Sequence, residues 1–131
     1  MKPIATVVLV LLCAAPLPAE AGHGTPTVQT MDADGLKQLY DTRAPVVSID
    51  LRPLAKYRKG HLPGARSIPI GEIRDRFREI PWMMLVVFYC DCSIMEVTPV
   101  YQSLRQHGYR RLFVLEGGVA AWTARGYPLE R

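Results

Sequence analysis

The sequence predicts an α/β domain built on a mainly parallel sheet, and three observations carry that prediction. Apolar runs rich in β-branched and aromatic residues recur at Val46–Asp50, Met84–Tyr89 and Leu112–Leu115, and read as buried strands. Segments with helical spacing of apolar residues lie between them, so strand and helix alternate. Proline or glycine marks the joints, at Pro45, Pro81, Gly108, Gly117–Gly118 and Gly126. With 131 residues, 49% of them hydrophobic, the chain has material for one compact domain and no second core.

The elements follow in order. Val28 to Thr30 reads as a short edge strand. Asp32 or Asp34 caps a helix running to Asp41, with Leu36, Leu39 and Tyr40 on its inner face. After the strand Val46–Asp50 comes an irregular basic stretch, Leu51 to Gly60, that holds one short helix. His61 to Ala65 is a turn and Arg66 to Pro69 a short strand. Ile70 to Ile80 reads as one helix, with Ile73, Phe77 and Ile80 at spacings of four and three, stopped by Pro81. Met84 to Tyr89 is the most apolar strand and is expected at the centre. Ser93 to His107 is the next helix, with Val97, Val100, Tyr101 and Leu104 inward and Gly108 beyond its end. Leu112 to Leu115 is a strand, and Val119 to Arg125 a last helix.

The first residues are set apart from this domain. Met1-Lys2 supplies a positive start and Ile4 to Ala15 an apolar stretch, the size of a signal peptide's core. A permanent membrane span needs roughly 20 apolar residues, more than this stretch offers. Ala19-Glu20-Ala21 offers a small-x-small cleavage pattern. The expected organisation is a signal peptide over 1–21, a flexible lead-in over 22–27, and the folded domain over 28–131. Leu12 before Cys13 argues against lipidation there. His23, second after cleavage, reads as a tail residue and not as an amino-terminal copper ligand. The expected location is outside the cytoplasm, the bacterial periplasm before full secretion.

Export shapes the reading of the cysteines. Cys13 leaves with the leader, so the mature chain keeps Cys90 and Cys92. Cysteines two positions apart cannot staple a fold, because the loop they close is tiny. A bond between them is strained and easily reduced, which makes the pair a candidate redox couple or sulfur relay. Cys90 ends the most apolar strand just before a helix. Unpaired N–H groups and partial positive charge at a helix start favour thiolate over thiol. The competing reading is a buried structural cysteine. The net charge of +4 comes from arginines interspersed with acids, as in Arg74, Asp75, Arg76, Arg78 and Glu79. That is a solvated helix face, with no motif for nucleic acid and at most a mild attraction for small anions.

Four segments in order resemble the single-domain rhodaneses: Asp50-Leu51-Arg52; Gly60-His61-Leu62-Pro63-Gly64-Ala65; a strand ending in Cys90; and Leu115-Glu116-Gly117-Gly118 followed by Trp122. The resemblance spans about Val28 to Leu129. It implies a small five-stranded, mostly parallel sheet with helices on both faces. It also implies Cys90 as the catalytic nucleophile, opening a loop (Asp91, Ser93, Ile94, Met95, Glu96) that cradles an anionic sulfur with backbone N–H groups. In this family the thiolate takes a sulfane sulfur from a small donor such as thiosulfate, holds it as a persulfide, and passes it to cyanide or a thiol. No cofactor and no metal are implied. Asp50, Arg52 and His61 are expected in supporting roles, Gly64, Gly117 and Gly118 as backbone-conformation residues, and Trp122 in packing. No membrane contact is expected after cleavage, and a monomer is the default for a domain of this size.

The active loop departs from the family. The usual glycine and arginine after the cysteine are absent: Ser93 stands in the glycine's place, and Met95 or, with a one-residue insertion, Glu96 in the arginine's. Asp91 adds a negative charge that tends to raise the Cys90 pKa. Thiosulfate, a dianion, is a poorer fit unless Arg52, Arg66 or Arg125 compensates. A polysulfide or low-molecular-weight persulfide is the alternative donor. Cys92 is an auxiliary thiol able to attack a persulfide on Cys90. The phosphatase relatives place an arginine six positions after the cysteine, where this chain has Glu96, which repels phosphate. Two other classes stay open: a catalytically silent rhodanese-fold module that binds a partner or senses redox state, and thiol or soft-metal handling by Cys90, Cys92 and His61.

Overall fold

The computed structural model describes residues 27–131. The expected leader with its cleavage site, Cys13 and His23 lie outside the described residues. The elements run β1 (Thr30–Met31), α1 (Ala33–Asp41), β2 (Val46–Asp50), α2 (Leu54–Lys59), β3 (Arg66–Ser67), α3 (Ile73–Arg76), β4 (Leu85–Tyr89), α4 (Ile94–Gln106), β5 (Leu112–Leu115) and α5 (Gly118–Ala124). The five strands form one sheet in the order β1-β5-β4-β2-β3, and every neighbouring pair is parallel. The sheet is therefore wholly parallel, where the sequence reading expected mostly parallel pairing.

Strand alternation divides the core in two. Val86 and Phe88 of β4 join Val47, Ile49, Leu112 and Val114 under α3 and α4. Val87 and Tyr89 point the other way and meet Leu36 of α1 and Trp122 of α5. Because both faces are covered, β4 carries apolar residues at every position, and four of its five are buried. Trp122 is fully buried, its indole Nε1 donating to the Pro128 carbonyl at 2.8 Å and its ring edge-on to Tyr40 and Tyr127. Its expected packing role is the observed one.

Local signals set most boundaries. Asp32 caps α1, its Oδ1 accepting from the Gly35 N–H at 2.7 Å. Gly108, at φ +94°, carries the chain out of α4. Several boundaries moved by a residue or two, and two departures have a visible cause. The edge strand lies at Thr30–Met31 and not at Val28–Thr30, because the parallel ladder pairs it with Val114 and Leu115. The helix expected over Ile70–Ile80 is broken into a 3-10 turn (Ile70–Glu72), the short α3 and a second 3-10 turn (Phe77–Glu79). Tyr109 accounts for part of this break: its hydroxyl donates to the carbonyls of Phe77 (2.7 Å) and Ile80 (3.0 Å), drawing that end of the segment down onto the sheet. Among the described residues no helix is long and apolar enough to cross a membrane.

Candidate functional site at the end of the central strand

In a parallel sheet the carboxyl ends of the strands gather the loops where ligands bind. β4 is central and delivers Cys90 to that edge. The chain bends at Asp91 and Cys92 and reaches Ser93, which caps α4. The bend matters because residues i and i+2 of an extended chain stand about 6.6–7.2 Å apart. Here the Cys90 and Cys92 Cα atoms are 5.1 Å apart and their sulfurs are joined in a disulfide. The pair expected as a redox couple or a sulfur relay is disulfide-bonded here, with both residues half-buried against the α4-side core.

The loop's charges are arranged by two contacts. The Asp91 carboxylate turns outward and pairs with Lys56 Nζ of α2 at 2.9 Å. That ammonium offsets the negative charge next to Cys90. Sequence reasoning missed Lys56, since nothing in a basic stretch marks which cation reaches a loop 35 residues further on. Glu96 folds back over the start of α4, accepting from the Ser93 N–H at 2.8 Å and the Ser93 hydroxyl at 3.2 Å in a capping box. One of the amides expected to cradle a sulfur anion is therefore occupied by a carboxylate of the chain itself.

Across from the loop, Gly117 and Gly118 lead from β5 into α5 with φ of +68° and +54°. A Cβ on Gly118 would stand 2.0 Å from the Cys90 carbonyl oxygen. Glycine at 118 is thus what lets α5 start against the Cys90 backbone. Between these two walls lies a pocket of about 760 Å³, within the size range of ligand sites. Cys90, Cys92 and Asp91 line it with Ile94, Val97, Val114 and Leu115, and Thr30 and Glu116 stand in its wall. Thr30 Oγ1 donates to Glu116 Oε1 at 2.5 Å. Neither was anticipated as a site residue, although both sit at or beside the carboxyl ends of strands. No lysine or arginine lines the pocket.

The remaining loop residues divide. Ile94 lines the pocket, while Ser93 and Glu96 are engaged in the helix cap and Met95 projects into solvent at 80% exposure. The three arginines considered as substitutes are engaged elsewhere. Arg66 donates to the Glu79 carbonyl at 3.3 Å, and Arg125 pairs with Asp34 at 2.6 Å. Arg52 is buried with Asp50. Its Nη2 lies 2.6 Å from Asp50 Oδ2 and 2.7 Å from the Gly60 carbonyl, and its backbone N–H donates to Asp50 Oδ1. The hydrogen bonds it donates to the Asp50 carboxylate hold the Arg52 guanidinium above its ordinary pKa. The pair stitches the end of β2 to the far end of α2. Burial likewise pushes the Tyr89 phenol up, so it stays protonated while its oxygen accepts from the Leu62 N–H at 3.1 Å.

His61 holds its turn. Its ring stacks on Tyr57 at 3.9 Å, and Nδ1 lies 3.1 Å from the Tyr57 carbonyl, which can only accept, so Nδ1 carries the proton. Asp50, Arg52 and His61 are outside the pocket wall. Among the described residues no group of three or more His, Cys, Asp or Glu side chains is placed to hold a metal ion.

A five-stranded parallel sheet, a cysteine at the tip of its central strand and a glycine pressed against that cysteine's carbonyl define an α/β domain with a cysteine-lined pocket at the strand ends. The profile of the rhodanese-like domain matches residues 32–125, and the chain belongs to that family. A sulfurtransferase of Allochromatium vinosum is 33% identical over 105 residues, covering 78% of this chain and 94% of the relative. A helix-turn-helix-type transcriptional regulator of Mycobacterium tuberculosis is 32% identical over 85 residues, covering 65% of this chain but only 38% of the regulator's length. Among solved structures, the thiosulfate sulfurtransferase of Pseudomonas aeruginosa superposes with a TM-score of 0.69 at 27% identity, over 79% of this chain and 20% of that one.

Proposed function

We propose that this chain is a rhodanese-type sulfurtransferase in which the Cys90 thiolate accepts a sulfane sulfur, holds it as a persulfide and gives it to a thiophilic acceptor such as a thiol or cyanide. One observation carries the reading: Cys90 leaves the central strand into the wall of a 760 Å³ pocket, its backbone seated against Gly118. The likeness to the Allochromatium sulfurtransferase supports it. The donor is a polysulfide or a low-molecular-weight persulfide in preference to thiosulfate. A dianion entering this pocket meets Glu116 in the wall and no lysine or arginine, and the N–H of Ser93 is already taken by Glu96. The apolar floor of Val97, Val114 and Leu115 suits the uncharged part of an organic persulfide. The protein works as a monomer outside the cytoplasm after cleavage behind Ala21, and the mass of the chain recovered from periplasm tests the export reading.

Intact-mass spectrometry of fully reduced protein tests the chemistry. Incubation with glutathione persulfide is expected to transfer sulfur through Cys90, and thiosulfate to do so poorly. A Cys90→Ser variant that still takes up sulfur, or a reduced protein that reacts with neither donor, defeats the proposal.

A further inference from the structure

The geometry points to Cys92 as the resolving thiol of the Cys90 persulfide, which makes the chain a dithiol-dependent persulfide reductase that releases hydrogen sulfide. This inference rests on the sulfurtransferase reading and specifies the fate of the sulfur. Four observations lead to it. The bend at Asp91–Cys92 brings the Cα atoms of the two cysteines to 5.1 Å and joins their sulfurs, so Cys92 reaches the inner sulfur of a persulfide on Cys90. The Asp91 side chain between them is held away by Lys56. Both sulfurs belong to residues lining the open pocket, where donor and reductant have access. The Glu96 carboxylate on the Ser93 N–H takes away part of the anion support that would prolong a persulfide's life.

The steps balance. The Cys90 thiolate attacks the outer sulfur of an organic persulfide, R–S–SH; the S–S bond breaks and RS⁻ leaves, giving Cys90–S–SH. The Cys92 thiolate then attacks Cys90 Sγ. The bond from Sγ to the outer sulfur breaks and its electron pair leaves on that sulfur as HS⁻. The Cys90–Cys92 disulfide forms, and the sulfane sulfur is reduced by the two electrons the cysteines lose. An external dithiol reduces the disulfide by exchange, is itself oxidised to a cyclic disulfide, and restores both thiols. The disulfide in the structure has the connectivity that the resolving step would leave. An intramolecular thiol has the advantage over external ones because the chain itself supplies proximity. A scaffold role does not compete, since the two cysteines are separated by one residue and constrain almost none of the unfolded chain.

The test is one turnover. Reduced, desalted protein is mixed anaerobically with one equivalent of glutathione persulfide, then read by intact mass and by a sulfide assay. Wild type is expected to end about 2 Da below its reduced mass with about one equivalent of sulfide released. Cys92→Ser is expected to stop about 32 Da above its reduced mass with no sulfide released. Cys92→Ala must behave as the serine variant does, which separates loss of the thiol from a defect peculiar to serine. With dithiothreitol as the probe reductant, wild type is expected to turn over repeatedly and faster than the Cys92 variants, whose persulfide only the external thiol can discharge. A wild type that keeps the added sulfur, as the Cys92 variants do, overturns the resolving role and leaves sulfur transfer standing. Variants and wild type that all fail to gain or release sulfur overturn both.

Discussion

Replacing Gly118 by alanine separates two costs that usually arrive together. The first is conformational: at φ +54° an alanine pays about 1–2 kcal/mol for the left-handed backbone. The second is steric. The new Cβ would stand 2.0 Å from the Cys90 carbonyl oxygen, where a carbon–oxygen contact rests at about 3.3 Å. The atom in the way is backbone, so either α5 or the loop must retreat by about 1 Å, and overpacking of this kind costs about 1–3 kcal/mol. Together the loss is about 2–5 kcal/mol, a large share of the 5–15 kcal/mol typical of a domain. Gly64 is the internal control: its φ is +69°, but a Cβ there meets nothing within 4 Å. Gly64→Ala should therefore show the conformational cost alone. Urea unfolding gives the two stabilities, and the alkylation rate of reduced Cys90 by iodoacetamide reports its placement. The expected result is a larger stability loss in Gly118→Ala together with altered Cys90 reactivity. Equal stability losses in the two variants, with unchanged alkylation, would refute the claim that Gly118 seats Cys90.

Three further perturbations probe the frame around the site. Arg52→Met leaves the fully buried Asp50 carboxylate without its partner and should cost about 3–5 kcal/mol in urea unfolding; a loss under 1 kcal/mol would mean water or another group takes over. Glu96→Ala removes the capping carboxylate at about 1 kcal/mol of stability but frees the Ser93 N–H, so sulfur loading from thiosulfate should rise while the melting temperature falls. No gain in loading would show that the carboxylate is not what disfavours the dianion. Lys56→Ala breaks an exposed pair and should change stability by less than about 1 kcal/mol. It should slow Cys90 alkylation at low salt by exposing the thiolate to Asp91, and added salt should shrink that difference.

Much of the architecture was legible because the physics behind it is local. Val46–Asp50 and Leu112–Leu115 are strands over the ranges read from their apolar runs, and of the two aspartates expected as caps, Asp32 and Asp34, it is Asp32 that caps α1. Cys90 was legible for the same reason, an apolar strand ending at a thiol. What stayed hidden depends on contacts distant in sequence. Tyr109 reshapes the segment around Phe77 from 32 residues away, and no helical periodicity within Ile70–Ile80 reports that pull. Lys56 meets Asp91 only because β2 and β4 are neighbours in the sheet. Glu96 was weighed as a loop residue standing in the arginine's place, whereas its observed contact is the helix cap; the Ser-x-x-Glu spacing was the available signal. Thr30 and Glu116 enter the pocket wall through the pairing of β1 with β5.

The family match ends at residue 125, yet the fold is fastened beyond it. Tyr127 donates to Asp34, the Pro128 carbonyl holds the Trp122 indole, and Glu130 exchanges backbone hydrogen bonds with His61 while its carboxylate takes the Gly64 N–H. That last contact closes the turn adjoining Gly60, whose carbonyl receives the Arg52 guanidinium. The tail thus works as a clasp: a protein trimmed to the shared segment would lose the hook that keeps the Gly60–Ala65 turn shut. A tag appended directly after Glu130 pulls on the same hook, so purification handles and reporter fusions belong on a spacer.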